Sequence, residues 1–508
     1  MLAWTIYLSF GGALLIAAFA RKRPELARAL ALITAVAGLL IAAVVFFTQT
    51  GVAAIADCAW IPAMGIRYTL AADGISRVLV LLTGLASVSG VLFSWNIQRR
   101  TGEFFAFYLA LIGGVYGVFL ASDLFLFFVF YEIAIVPKYF LIAIWGSTRR
   151  EYGAMKLALY SFIGSAMVLI GLLAAYTVSG GHTLSLTALQ QYPFPVSFQM
   201  WAFPLVFLGF AILAGMWPLH TWAPTGHVAA PTAASMLLAG VVMKLGAYGC
   251  LRVAMTLFPH GLDPWGWSFL GIGSWRTVFA LLAVIGILYG AAVALIQNDF
   301  KFVIGYSSVS HMGLVLLGLM TLSQIGLDGA VLQMFSHGVL AGLLFATVGR
   351  IVYERTHTRD LKALSGMHLG RTLPFAAWLF VIAGIASMGL PGFSGFIAEL
   401  QVLIGAWTAF PIFTMLAGVG IVVGVAYTWR AMQTAFFSDG PVQASSPGHQ
   451  EHAHEEHAFE PITWAEKAGV ALLLAASLVV GLAPRILLDQ ITPAVLALPH
   501  ALLTGGRL

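Results

Sequence analysis

Six titratable side chains stand in stretches of sequence that are otherwise apolar enough for a lipid bilayer. They are Glu132, Lys138, Lys244, His311, His337 and Glu399. One ionised group at a bilayer centre costs roughly 2.5–3.5 kcal/mol or more, so such residues usually face a hydrated interior on an ion or proton path. A buried lysine loses its proton readily, and imidazoles and carboxylates accept and release protons. These residue types therefore predict a proton relay without covalent chemistry.

Each of these residues also has a structural interpretation. Glu132 could be a packing carboxylate satisfied by a neighbouring helix, and His311 or His337 alone could be a core histidine. Lys244 could snorkel to a membrane surface, but it lies about a dozen residues from either end of its apolar stretch. The occurrence of all of these groups in one chain favours the relay.

Composition places the chain among membrane proteins. Hydrophobic residues make up 60% of its 508 residues and charged residues only 9%. Apolar runs of about 20 residues, the length that spans a bilayer, predict an all-α polytopic protein with about fourteen transmembrane helices. The predicted spans are 3–20, 29–48, 75–95, 104–121, 123–146, 157–178, 199–220, 230–256, 277–297, 302–322, 326–354, 373–406, 411–436 and 464–484.

The basic residues predict how the chain lies in the membrane. Arg21, Arg99, Arg149, Lys301 and their neighbours fall on alternate connectors, which the positive-inside rule assigns to the cytoplasm. Both termini then face the periplasm or its equivalent. These cations form no stripe that could follow phosphates, so no nucleic acid partner is expected, whereas protons and membrane lipids are expected partners.

Prolines predict breaks in two spans. Pro218 and Pro224 interrupt the seventh span, and Pro391, followed by Gly392, interrupts the twelfth. Broken helices at membrane depth line protein-buried or hydrated cavities. Two of them, five spans apart, predict two inverted five-helix repeats, formed by spans 4–8 and 9–13.

These repeats give a predicted division of the chain. Residues 1–103 hold helices 1–3, residues 104–256 and 273–437 hold the two repeats, and residues 462–508 hold helix 14. Between them, residues 438–461 form a His-rich loop that parity places in the cytoplasm. A zinc or nickel site is conceivable there, but short His-rich tracts are more often solvated, so we expect no metal.

Several motifs resemble the M-type antiporter-like subunits of respiratory complex I. They are Phe130–Gly146, Pro218–Trp222, Ala230–Ala233, Lys244–Gly249, Tyr306–Gly313 and Tyr353–Asp360. The resemblance covers nearly the whole chain. It implies proton pumping driven by quinone reduction elsewhere in the complex, so that the chain is a non-redox subunit of an enzyme.

The resemblance also implies roles for the six residues and their surroundings. Glu132 matches the ion-pair glutamate, Lys244 the central lysine, His311 and His337 the relay histidines, and Glu399 the terminal glutamate. No cofactor is expected in this chain, whereas NADH, FMN, iron–sulfur clusters and quinone are expected in partner subunits. Neighbouring antiporter-like subunits are the expected partners. The same fold could instead serve a multisubunit sodium/proton antiporter, a membrane-bound hydrogenase or a ferredoxin-driven photosynthetic complex.

The chain departs from the family pattern near the seventh span. Leu213 stands where the family has the lysine that pairs with the fifth-helix glutamate, and Thr225 replaces an aspartate. Lys138 stands where the family more often has an apolar residue. We therefore predict that Lys138 pairs with Glu132 in place of the missing lysine, with snorkelling of Lys138 as the alternative.

Overall fold

Long apolar helices make up most of the computed structural model, which describes residues 1–266, 268, 271–438 and 459–499. In this part of the chain, thirteen helices are long and apolar enough to cross a membrane. A further span consists of two shorter helices, so the predicted all-α fold with about fourteen spans is confirmed. Spans 1–14 are Ala3–Ala20, Pro24–Thr48, Gly74–Phe93, Thr101–Leu120, Leu124–Trp145, Arg150–Val178, Val196–Ala214 with Trp222–Ala229, Thr232–Met255, Trp275–Ile296, Phe300–Met320, Gln324–Thr356, Pro374–Ser387 with Ser394–Ala409, Pro411–Phe436 and Trp464–Leu482.

A β-hairpin between spans 2 and 3 was not predicted. Strand β1 (Ala53–Ile61) pairs in antiparallel register with β2 (Ile66–Ala72). Gly65 closes the turn with φ +65°, a conformation that favours glycine. The exposed Asp57 accepts a hydrogen bond from Arg67 at 2.7 Å, which lowers the pKa of Asp57. We call the membrane side that carries this hairpin the hairpin end, and the opposite side the arginine end.

Short helices lie outside the spans. Leu186–Gln191 and the terminal helix Arg485–Leu496 lie at the hairpin end. At the arginine end, Glu354–Thr356, at the end of span 11, is followed by Leu361–Ser365 and Leu369–Thr372. These pieces cover the loops and leave the spans as the frame of the molecule.

Two capping motifs show the inverted relation between the repeats. Asp123 caps span 5 and forms a β-bridge with Ser185, at the hairpin end. Asp299 caps span 10 and forms a β-bridge with Asp360, at the arginine end. Equivalent backbone hydrogen bonds lie beside both bridges. The N–H of Leu124 donates to the carbonyl of Leu184, and the N–H of Phe300 donates to the carbonyl of Arg359, each at 2.8 Å. The same local structure at opposite ends is what an inverted repeat produces.

Both predicted breaks are present. Span 7 stops at Ala214 and resumes at Trp222, and span 12 stops at Ser387 and resumes at Ser394. Trp222 Nε1 donates to the carbonyl of Ile212 at 2.8 Å, which satisfies one group freed by the first break. The first break is buried at its start, from Gly215 to Met216, whereas Pro218 and the second break at Leu390 and Pro391 are exposed on this chain.

Spans 8 and 11 form the core of the bundle. The most apolar window of each is 100% buried inside the protein, compared with 28% for span 13. Lys244 on span 8 and Asp328 on span 11 are both enclosed by protein. The domain boundaries given above stay predictions, and residues 439–458 of the His-rich loop lie outside the described residues.

Candidate proton-transfer site

Lys244 lies at the middle of span 8 and is completely buried. Two π-helical turns, Leu238–Val242 and Cys250–Met255, flank its segment, and such turns are frequent at functional sites. The ammonium donates a hydrogen bond to the carbonyl of Ala239. Its Nζ also lies 2.6 Å from Nδ1 of His337. The predicted central lysine is thus in direct contact with a predicted relay histidine.

Two glycines permit this contact between spans 8 and 11. A Cβ atom on Gly338 would lie 2.6 Å from the carbonyl oxygen of Gly240. Glycine is therefore required at this crossing, where the two backbones approach closely. His337 precedes Gly338 in the chain, so the crossing brings its ring beside Lys244.

The two histidines lie next to each other. The rings of His311 and His337 stack with their centroids 5.5 Å apart. Nδ1 of His311 lies 2.8 Å from the carbonyl oxygen of Ser307, and Nε2 lies 3.5 Å from Oε1 of Glu399. Because both nitrogens of His311 face acceptors, this ring suits a proton held between it and the Glu399 carboxylate.

The broken twelfth span shapes the surroundings of Glu399. The carbonyl of Ser387, at the end of the first half, lies 3.3 Å from Nε2 of His311. Glu399, on the second half, is 6% exposed. A cavity of about 10 Å³ lies among His311, Gln333, His337 and Glu399, and its volume is about that of one water molecule.

The structure therefore brings four of the six predicted residues into one chain of contacts. Its order is Lys244, His337, His311 and Glu399, and we call this set the relay. The two histidines follow each other in the reverse of their sequence order, because span 11 packs between span 8 and the second half of span 12.

Glu132 and Lys138 lie apart from the relay, on span 5. Lys138 is buried, and its Nζ has no hydrogen-bond partner in the described part of the chain. Oε1 of Glu132 is likewise buried without a partner. Lys138 is therefore enclosed, whereas Glu132 is only partly buried, and the snorkelling alternative for Lys138 is wrong.

The prediction of a direct ion pair between Glu132 and Lys138 is also not met. Among residues 1–266, 268, 271–438 and 459–499, no basic nitrogen lies within 4.0 Å of the Glu132 carboxylate. Six residues along a helix turn Lys138 by roughly 120° from Glu132. Lys138 shares the buried face of Tyr131 and Ala134, whereas Glu132 shares the face of the exposed Val136. The two side chains therefore point in different directions and form no ion pair.

Sequence reasoning missed a polar cluster beside the break of span 7. Lys156 of span 6 lies 3.4 Å from Oγ1 of Thr225, the residue that replaces the family aspartate. The ring of His220 is buried, with its centroid 5.1 Å from that of Tyr289. Lys156 could have been found from its charge at the start of an apolar run. The basic residues of the preceding connector obscured this signal, because Lys156 was grouped with them.

Fold and site together define a multi-pass, antiporter-like membrane protein with a buried relay. A family model described as "NADH:quinone oxidoreductase/Mrp antiporter, TM" matches residues 121–424. Similar curated proteins include NADH-quinone oxidoreductase subunit M of Rhodobacter capsulatus, 35% identical over 88% of this chain and 84% of that protein. Subunit M of Pseudomonas aeruginosa is 40% identical over 76% of this chain and 75% of that protein.

Solved structures agree with this assignment. A chain of respiratory complex I from Thermus thermophilus with bound NADH matches with a TM-score of 0.86 and 29% identity, covering 99% of this chain and 100% of that one. A chain of the Mrp complex from Dietzia sp. shares the fold, with a TM-score of 0.83 at 22% identity over 99% of this chain and 98% of that one. The chain belongs to the NADH:quinone oxidoreductase/Mrp antiporter membrane subunit family.

Proposed function

We propose that this chain is a proton-translocating, antiporter-like membrane subunit of an NADH:quinone oxidoreductase. The observation that carries the proposal is the continuous series of contacts from Lys244 through His337 and His311 to Glu399. It extends from the middle of the bundle toward the hairpin end, and each member can hold or release a proton. The matching chain of respiratory complex I is 29% identical to this chain and that of the Mrp complex is 22% identical, which favours an oxidoreductase complex over an Mrp antiporter.

The assembly follows from the same reasoning. In our proposal the chain performs no redox chemistry and holds no cofactor, while NADH, FMN, iron–sulfur clusters and quinone are bound by partner subunits. Other antiporter-like subunits flank it in a bacterial inner membrane. The basic connectors put the arginine end in the cytoplasm and the hairpin end, with both termini, in the periplasm.

Within this assembly, the relay moves protons by changes of charge in its surroundings. A proton on Lys244 repels a proton on His337, since the two nitrogens lie 2.6 Å apart. Any event that favours the charged lysine therefore drives a proton onward to His311 and Glu399. Quinone reduction in a partner subunit supplies that event, and its effect reaches the relay through charges such as Glu132 and Lys138.

The Lys244→Ala variant of the whole complex tests this function. Proton translocation in inverted membrane vesicles should fall at least about tenfold, because a proton-transfer group is lost. Lys362→Ala, at an exposed lysine of the arginine end, is the matched control and should pump normally. Native gels check that both complexes assemble. Normal pumping by a fully assembled Lys244→Ala complex would overturn the relay.

A further inference from the structure

A buried carboxylate near the hairpin end lies beyond the relay. Asp328, on span 11, is 5% exposed. Its Oδ2 accepts a hydrogen bond from Thr492 of the terminal helix at 2.8 Å, and its Oδ1 is buried with no partner in the described part of the chain. We propose that Asp328 receives protons from Glu399 and releases them at the hairpin end. This inference rests on the proposed function and adds a release group to it.

Asp328 is not required by its own helix. The cap of span 11 is Ser323, whose hydroxyl accepts a hydrogen bond from the backbone N–H of Gly326 at 3.2 Å. Only one carboxylate oxygen of Asp328 holds the terminal helix, through Thr492. Gln324 is the other polar side chain that faces the carboxylate, and Oδ1 has no hydrogen-bond partner in the described part of the chain, which is rare for a buried polar atom.

Two glutamine side chains lie in the region between Glu399 and Asp328. Gln333 is 1% exposed, and its side chain hydrogen-bonds to Glu399. It is five residues from Asp328 on span 11, which is about 7.5 Å of helix rise and roughly 140° around the helix, so the two side chains do not touch and a path between them needs water. Gln401 approaches the same helix, because a Cβ atom on Gly329 would lie 2.9 Å from the Cβ of Gln401.

These side chains present buried oxygens that need hydrogen-bond donors. Oε1 of Gln333, Oε1 of Gln401 and Oδ1 of Asp328 all lack a partner among the described residues. Three such acceptors in one short stretch favour a hydrated path, since water both satisfies them and conducts protons. The path leads from Glu399 toward the terminal helix, which covers the hairpin end.

The charge environment allows Asp328 to gain and lose a proton. No basic nitrogen lies within 4.0 Å of its carboxylate in the described part of the chain, so no cation holds it permanently ionised. Gln324 and Thr492, the polar side chains that face it, are uncharged. A carboxylate in such surroundings accepts a proton more easily than one that is paired with arginine.

Replacement of Asp328 in the assembled complex tests this path. Asp328→Asn should lower the number of protons pumped per electron in proteoliposomes, with a relay step slowed at least about tenfold. Asp328→Glu keeps the carboxylate and should pump normally. The matched control is Asp489→Asn, an exposed carboxylate on the terminal helix, which should also pump normally. Wild-type pumping by Asp328→Asn would overturn the proposal.

Thr492→Val separates proton transfer from a structural role. Asparagine at position 328 can still accept the Thr492 hydrogen bond, so a purely structural Asp328 predicts that Thr492→Val is more harmful than Asp328→Asn. Our proposal predicts the opposite order, and the structural order would contradict it. If Lys244→Ala and Glu399→Gln lose pumping while Asp328→Asn does not, only the release path is wrong. If all three variants pump normally, the proposed function itself is wrong.

Discussion

The relay and the charges of span 5 differ in how the protein accommodates a charge inside a membrane. In the relay, each titratable group lies beside the next, from the 2.6 Å contact of Lys244 with His337 to the 3.5 Å contact of His311 with Glu399. On span 5, Lys138 and an oxygen of Glu132 are buried without partners in the described part of the chain. Where relay groups lie within hydrogen-bond distance a proton can pass directly, and between the stacked rings of His337 and His311 it needs a bridging water. Separated charges instead respond to changes around them. We infer that span 5 controls the relay and does not extend it.

Glu399→Gln should produce the largest effect in this comparison. The amide cannot carry a proton, so transfer beyond His311 should stop and proton translocation should fall by roughly tenfold or more. Glu399→Asp keeps the carboxyl group and should retain part of the activity. The measurement is the pH signal of reconstituted vesicles during quinone reduction. Unchanged pH signals from Glu399→Gln would remove Glu399 from the relay.

Lys138→Leu should have an intermediate effect, with opposite signs on two readouts. Removal of a buried, unpaired amine should raise the resistance of the subunit to unfolding in detergent. Proton translocation should nevertheless fall by roughly fivefold, the lower end of the range for coupling between two sites. A variant that is destabilised and inactive would instead identify Lys138 as a packing residue.

The double variant Lys138→Leu with Leu213→Lys tests whether a lysine on span 7 can replace the lysine of span 5. It places a lysine at the seventh-span position where the family has one and should restore part of the pumping. Leu213 is buried, with 1% exposure, so an amine there is enclosed like that of Lys138. Full pumping by Lys138→Leu alone would show that span 5 needs no lysine.

The sequence predicted the spans and most of the relay because a bilayer imposes strong rules. Apolar runs reveal the helices, prolines reveal the breaks, and the few charges in apolar runs reveal Lys244 and Glu399. Which groups touch depends on how the helices cross, and no local pattern encodes this. The crossing of Gly240 over Gly338, for example, places His337 and not His311 beside Lys244.

Sequence analysis predicted other features wrongly or missed them, for related reasons. The predicted pairing of Glu132 with Lys138 failed because helix rotation sets their directions, and Pro137, which lies between them in the helix, does not bring them together. The hairpin of β1 and β2 was missed because its strands lack a clear alternation of apolar and polar residues. Asp328 gave the same signal as Glu399, but it lies only four residues after the start of its helix, where an acidic residue is common.

The caps of the two repeats should give the smallest effects and test their equivalence. Asp123→Ala and Asp299→Ala each remove hydrogen bonds to the first turn of a span and should cost about 1 kcal/mol of stability. Asp299 also lies 3.3 Å from Arg359, so its loss should cost more. Asparagine still caps a helix, so Asp123→Asn and Asp299→Asn are the controls. Unfolding of the purified chain in detergent, followed by circular dichroism, measures all four variants. A larger loss for Asp123→Ala than for Asp299→Ala would contradict this account.

The contribution of these two caps to the stability of the folded chain should decrease as the pH rises. Both residues lie just outside the spans, and burial raises the pKa of Asp123 and of Asp299 in the folded chain. A group with a raised folded pKa contributes stability below its ordinary value, about 3.9 for aspartate, and loses it as the pH rises through the folded pKa. Each asparagine variant should therefore gain stability relative to the native chain as the pH rises above about 4. Since the two caps are related by the inverted repeat, the two variants should follow curves of the same shape. A gain for one and a loss for the other would show that the repeats differ at their caps as well as in their charges.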